Sequence, residues 1–104
     1  MIKIINNDDT FEKEVINSKG VVVVDFWATW CKPCKMLTPV LDDFSNKLNA
    51  KFVKVDVDEN SVLSSTYMIT SIPTVLIFKN GVIVDKFMGF KPSTEIVKII
   101  EKHI

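Results

Sequence analysis

The run Val21-Val22-Val23-Val24-Asp25-Phe26-Trp27-Ala28 constrains the fold of this chain most. β-Branched residues favour extended backbone, and a nearly unbroken apolar run marks a buried strand. Three residues after Ala28 comes Cys31-Lys32-Pro33-Cys34. From Lys35 to Leu48, Leu37, Leu41, Phe44 and Leu48 then line one face of a helix. The chain thus passes from a buried strand into an amphipathic helix, and its only two cysteines stand at the junction.

The rest of the chain supplies partners for that strand. Met1 to Ile5 reads as a short first strand. Asp9 and Glu12 have capping-box spacing, and Phe11 and Val15 mark one face of a helix ending near Gly20. Pro39 falls inside the second helix and is expected to bend it, because it lacks an N–H and crowds the Lys35 carbonyl. Lys51 to Val57 alternates as a strand, with Val53, Val55 and Val57 facing one way. Asp58 and Asn60 are placed to cap a short helix carrying Val62, Leu63 and Tyr67. After Thr70-Ser71-Ile72-Pro73-Thr74 comes a strand, Val75 to Phe78. Asn80-Gly81 then signals a tight hairpin into Val82–Met88. Gly89 breaks the pattern. Pro92 suits the first turn of a last helix, with Ile96, Val97, Ile100 and Ile104 as its apolar stripe. The order is β-α-β-α-β-α-β-β-α. Long crossovers imply parallel early strands, and the hairpin adds an antiparallel edge. The expectation is an α/β fold: one domain, residues 1–104, with a mixed sheet and helices on both faces.

Composition narrows the function. Apolar residues make up 47% of the chain and charged residues 25%, so a packed core is expected and disorder is not. Lys+Arg and Asp+Glu balance at 13 each, which argues against nucleic acid as a partner; no basic amphipathic helix suggests a membrane surface. The apolar stretch at Met1–Ile5 is shorter than the roughly 7–15 residues of a signal-peptide core. A complete chain of this kind is expected in the cytoplasm, as a monomer. A mature chain from which a leader had been cleaved would read the same. Stable disulfides are rare in the cytosol, so a close cysteine pair there is expected to cycle or to bind metal.

Cys31 falls near a helix N-terminus, where unpaired N–H groups and the helix dipole favour a negative sulfur. The thiolate is the attacking species in disulfide exchange, and Cys34, one turn on, is placed to close a disulfide with it. A structural zinc site needs about four ligands. Two thiols and the distant His103 fall short of that, although a dimer sharing four thiolates stays open. His103 itself reads as a surface residue in the last helical turn. Asp25 interrupts the apolar run. Pattern alone leaves two readings: a buried acid with a raised pKa, or a carboxylate at the exposed end of the strand. Lys54 lies on the strand face opposite Val53 and Val55 and by pattern alone reads as exposed.

Phe26-Trp27-Ala28-Thr29-Trp30-Cys31-Lys32-Pro33-Cys34-Lys35 resembles the active site of the thioredoxin family. The resemblance extends over essentially the whole chain through Asp25, Lys54, Asp56, Ser71-Ile72-Pro73-Thr74, Asn80-Gly81 and Gly89. It implies a five-stranded sheet of order 1-3-2-4-5 flanked by four helices. It also implies reduction of protein disulfides without a bound cofactor or metal, and re-reduction of the dithiol by a flavin-containing thioredoxin reductase. Cys31 would be the nucleophile and Cys34 the resolving thiol. Asp25 would take the Cys34 proton, and Lys54 would pair with Asp25 and tune its charge. Pro73 would be cis, against a trans prior for X–Pro bonds generally. It would turn the Ile72 backbone towards an extended substrate segment and keep metal from the thiols. Trp30, Ile72, Pro73 and Gly89 would form an apolar docking surface, with Lys32 and Pro33 beside it and Trp27 left to the core. Lys32 departs from the family, which usually has glycine there. A cation beside Cys31 is expected to favour its thiolate and make the couple more oxidising. Two other readings remain: a thiol oxidase or isomerase in an oxidising compartment, and a redox-independent binding subunit of a larger complex.

Overall fold

Alternate side chains of one strand divide the interior in two. The computed structural model describes residues 1–104, and β2 (Val21–Trp27) lies at the centre of its sheet. Val22, Val24 and Phe26 point to one face, where they meet Phe11, Val15, Leu63 and Phe78. Val21 and Val23 point to the other, where they meet Leu37, Leu41, Ile96 and Ile100. Fully burying a Val or Phe side chain contributes about 1.5–3 kcal/mol, and Val22, Val23, Val24 and Phe26 are all wholly buried. The strand that leads to the cysteines is therefore the best-anchored segment of the chain.

The sheet has the order β1-β3-β2-β4-β5. β1 (Lys3–Ile5) and β2 run parallel to β3 (Lys51–Asp56). β4 (Thr74–Lys79) runs antiparallel to β2, and β5 (Val82–Met88) is antiparallel to β4. Four helices flank the sheet. α1 (Asp8–Phe11) and α3 (Ser61–Thr66) lie on one face, and α2 (Lys32–Ser45) and α4 (Ser93–Glu101) lie on the other. The β4–β5 turn has Asn80 at φ 52° and Gly81 at φ 81°, the left-handed pair of a tight hairpin. Asn80 also clamps the start of β2, since its Oδ1 accepts from Gly20 N at 2.8 Å and its N–H donates to Gly20 O at 3.1 Å.

Several local expectations are corrected. The first helix is capped by Asn7, not Asp9: Asn7 Oδ1 accepts from the Thr10 N–H at 2.8 Å and from its hydroxyl at 2.9 Å. Asp9 lies inside the helix, which widens into a π turn over Glu12–Ile16, closed by Asn17 N to Glu12 O at 2.8 Å. Pro39 lies inside α2, as expected, and the helix runs on to Ser45. Asn60 stands at the N-cap position of α3 but does not cap it. Its amide instead donates to the Asp56 carbonyl at 3.0 Å and the Ile5 carbonyl at 3.4 Å. Val57 falls just past β3, and Pro92 precedes α4 rather than entering it. Ile104 lies beyond the helix and is half exposed, and Ile99 packs against the cluster that holds Ile96 and Ile100.

Candidate active site

The N-terminus of α2 is built around sulfur. Cys31 is its N-cap, with φ −92° and ψ 109°, and its Sγ accepts from the Cys34 N–H at 3.3 Å. The role is one usually taken by a Ser, Asp or Asn oxygen. Lys32 and Pro33 occupy the first two helical positions, where the missing proline N–H has no partner to lose. Cys31 and Cys34 are joined as a disulfide, with Cα atoms 5.3 Å apart. Cys34 is wholly buried and Cys31 is 5% exposed. Ala28, Trp27, Val57 and Ile72 pack round the pair. Both a helix dipole and a direct N–H donor stand ready for a negative charge on Cys31 Sγ once the bond is opened.

Asp25 is buried, which resolves the two readings of its position. By strand alternation it follows Val21 and Val23 onto the face covered by α2, the helix that carries Cys34. Neither carboxyl oxygen has a hydrogen-bond partner. Burial pushes its pKa up to about 7, and the charge of Lys54 acts against that rise. Lys54 is its cross-strand neighbour in β3, but the expected ion pair is not formed. The ammonium lies 4.1 Å from the centroid of the Trp27 ring instead. Trp27 is half-buried at the end of the strand, not a core tryptophan.

The surrounding surface is assembled from three segments. Trp30 is 69% exposed, and its indole N–H donates to Asp58 Oδ2 at 2.8 Å. The Ile72–Pro73 bond is cis, Ile72 packs against the cysteine pair, and Pro73 is buried beneath the surface it was expected to form. Gly89 N–H donates to Pro73 O at 2.8 Å, which ties the end of β5 to this loop. Gly89 has φ +78°, and no atom would meet a Cβ there, so the space beside it is open. Lys32 and Pro33 are both exposed. The molecule's one recess, about 360 Å³ and lined by polar residues such as Asn6, Asp8 and Glu59, includes none of these groups. The cysteine pair therefore faces an open surface, suited to a macromolecule rather than an enclosed small ligand.

Two contacts near the pair were not visible in the sequence. Asp58 was read as a helix cap, whereas it holds Trp30. Ser71 was read only as part of a loop, whereas its hydroxyl donates to Met88 Sδ at 3.4 Å. An acid and a tryptophan in separate segments carry no spacing signal that would pair them. His103 was read as a surface residue; it is half-buried, with Nε2 3.0 Å from Asp85 Oδ2.

A cysteine pair that caps a helix at the end of a central strand defines a thiol-disulfide oxidoreductase. Comparison with known proteins gives the family. The thioredoxin family model matches residues 2–102. Thioredoxin 1 of Nostoc sp. is 46% identical over 93% of this chain and 92% of its own. Thioredoxin of Bacillus subtilis is 43% identical over 93% of both chains. Among solved structures, Plasmodium falciparum thioredoxin superposes with a TM-score of 0.92 at 36% identity, over 99% of this chain and all of the other. The chain belongs to the thioredoxin family. It is a protein-disulfide reductase that works by dithiol/disulfide exchange.

Proposed function

We propose that residues 1–104 act as one domain that reduces disulfides of other proteins in the cytoplasm and is itself re-reduced by a thioredoxin reductase. Cys31 is the attacking group. Its thiolate bonds to one sulfur of the substrate disulfide, and the other substrate sulfur leaves with the bonding electron pair and takes up a proton. Asp25 then accepts the Cys34 proton, directly or through water. The Cys34 thiolate attacks Cys31 Sγ and displaces the second substrate thiolate, leaving the pair oxidised. The helix-capping contact at Cys31 Sγ carries this reading, because it stabilises charge on that one sulfur. The unpartnered burial of Asp25, on the face covered by α2, supports its role as proton acceptor.

Trp30, Ile72 and Gly89 form the docking surface, and Pro73 supports it from below. Ile72 presents its backbone to an extended substrate segment, which adds as a short strand. Lys54 tempers the pKa of Asp25 through its charge rather than by a direct contact. No helix is long and apolar enough to cross a membrane, and the balanced charge gives no electrostatic footprint for nucleic acid.

The test is reduction of insulin disulfides with dithiothreitol as electron source. Rapid turnover is expected, and Cys31→Ser should abolish it. Turnover that survives in Cys31→Ser would remove the mechanism. Exposed Lys32, next to Cys31, favours the second reading, an oxidase. Equilibration with glutathione redox buffers separates the two. Lys32→Gly is expected to make the couple more reducing, and an unchanged potential would strip Lys32 of that role.

A further inference from the structure

Four polar or aromatic side chains at the ends of β2 and β3 share one face of the sheet. Val24 is in register with Val53, and Phe26 with Val55, and all four lie in one half of the core. Asp25 with Lys54, and Trp27 with Asp56, therefore alternate onto the opposite face, the one covered by α2. From β3, Lys54 has two neighbours to choose between: the Asp25 carboxyl beside it and the Trp27 ring further along. Its ammonium lies 4.1 Å from the centroid of the ring, and both Asp25 oxygens are left without a hydrogen bond. Asp56, the other acid on this face, accepts from the Asp58 N–H at 2.9 Å instead. No second cation competes. β4 brings Val75 alongside Asp25, and α2 covers the face with Cys34, Leu37 and Leu41. Lys54 is the one charge that acts on the carboxyl.

We propose that Trp27 is a positioning residue for Asp25: its ring holds the Lys54 ammonium away from the carboxyl. An aromatic face attracts a cation that keeps part of its water, and Lys54 is half-buried. A contact ion pair would act differently, because an adjacent cation favours the charged carboxylate. A carboxylate held in that state is a weak base. With the ammonium on the ring, burial outweighs the distant charge, and Asp25 can take up a proton near neutrality. Trp27 also packs against the cysteine pair, so one ring touches both the cation and the dithiol. The use made of the Asp25 proton rests on the mechanism proposed above; the placing of the ammonium does not.

The test uses the disulfide form, in which no thiol titrates alongside Asp25. The Asp25 carboxyl carbon is followed by NMR as pH is varied, and in the natural protein it should titrate at about 7. In Trp27→Leu it should titrate about 1 pH unit lower, the low end of the drop that an adjacent opposite charge gives a carboxylate. Trp27→Phe keeps an aromatic face and should stay near the natural value. In a Lys54→Gln background, Trp27→Leu should cause no fall, since no ammonium is left to move. A titration that Trp27→Leu leaves in place would overturn the proposal. So would a fall that persists in the Lys54→Gln background, because it would trace to water entering beside Asp25. The natural protein gives a check that needs no variant. The ring current should shift the Lys54 ε-methylene protons upfield, and ordinary positions for them would overturn the proposal. None of these readings depends on turnover, so a failed insulin assay would count against the mechanism and leave them standing.

Discussion

Asp25 and Asp85 belong to the same sheet and are pushed in opposite directions. Asp25 sits in the central strand, buried, with no partner for either oxygen. Asp85 sits in edge strand β5, surrounded by donors: His103 Nε2 at 3.0 Å, the Lys86 N–H at 2.9 Å and Lys102 Nζ at 3.4 Å. Burial raises the first to about 7. The His103 hydrogen bond, with help from Lys86 and Lys102, holds the second below the usual carboxylate range. Asp85 is an ordinary fastening between β5 and the end of α4. Asp25 has the reverse character, since it costs stability when charged and titrates near neutrality. The four wholly buried side chains of β2 outweigh that cost, which is why the strand tolerates it.

Asp25→Asn puts the contrast under most strain. The folded state holds the Asp25 proton up to about 7, whereas an ordinary aspartate releases it at 3.8. Stability of the natural protein should therefore fall as pH rises through that window. A pKa unit is worth about 1.4 kcal/mol, so Asn should stabilise the fold by on the order of 4 kcal/mol at about pH 8. That gain should shrink towards zero in acid. Urea unfolding at the two ends of the window measures it. Insulin reduction should slow, and its rise with pH near neutrality should vanish. An Asn variant no more stable in mild base would show that Asp25 is not the isolated carboxyl described above.

Asp85→Asn should do the opposite on a smaller scale. It should lose about 1 kcal/mol at neutral pH, a discounted value for a partly exposed cluster, with turnover unchanged. Because the folded-state pKa is depressed, this contribution is present above the ordinary value of 3.8 and lost as pH falls through the folded one. Thermal unfolding curves of the two proteins should therefore converge in acid. Convergence in base instead would reverse the assignment.

The least disruptive variant is Lys54→Gln. Lys54 opposes the rise caused by burial, so its removal should move the pH limb of insulin reduction upward. A shift downward would mean that the ammonium acts on Asp25 by some route other than its charge.

The long-range order was legible where residue type and spacing speak to the same element. Val21–Val24 had to be a buried strand, Asn80-Gly81 had to be a hairpin, and a cysteine pair before an amphipathic run had to sit at a helix start. Legibility failed where several residues of one chemistry compete. Asn7, Asp8 and Asp9 are all capable N-caps, and only the position of Thr10 decides for Asn7. It failed again for the widened turn at Glu12–Ile16, which no residue type announces. At the site, the depth of Asp25 was half legible from the apolar residues round it. The resting place of Lys54 was not, because Trp27 stands two residues from Asp25 and offers the ammonium an aromatic face at the same sheet end. Trp30 with Asp58 and Ser71 with Met88 lie far apart in the chain, and nothing in one segment points to the other.

The unequal burial of the two sulfurs sets the direction of traffic through the molecule. Cys34 is wholly buried in the disulfide form, and Cys31 is nearly so. If Cys31 is the attacking group, as proposed above, whatever brings electrons and whatever carries them off would bond to the same atom, at the same spot, at different times. On the mechanism proposed above donor and acceptor would exclude each other, and the protein would work as a shuttle between two callers rather than as a bridge that joins them.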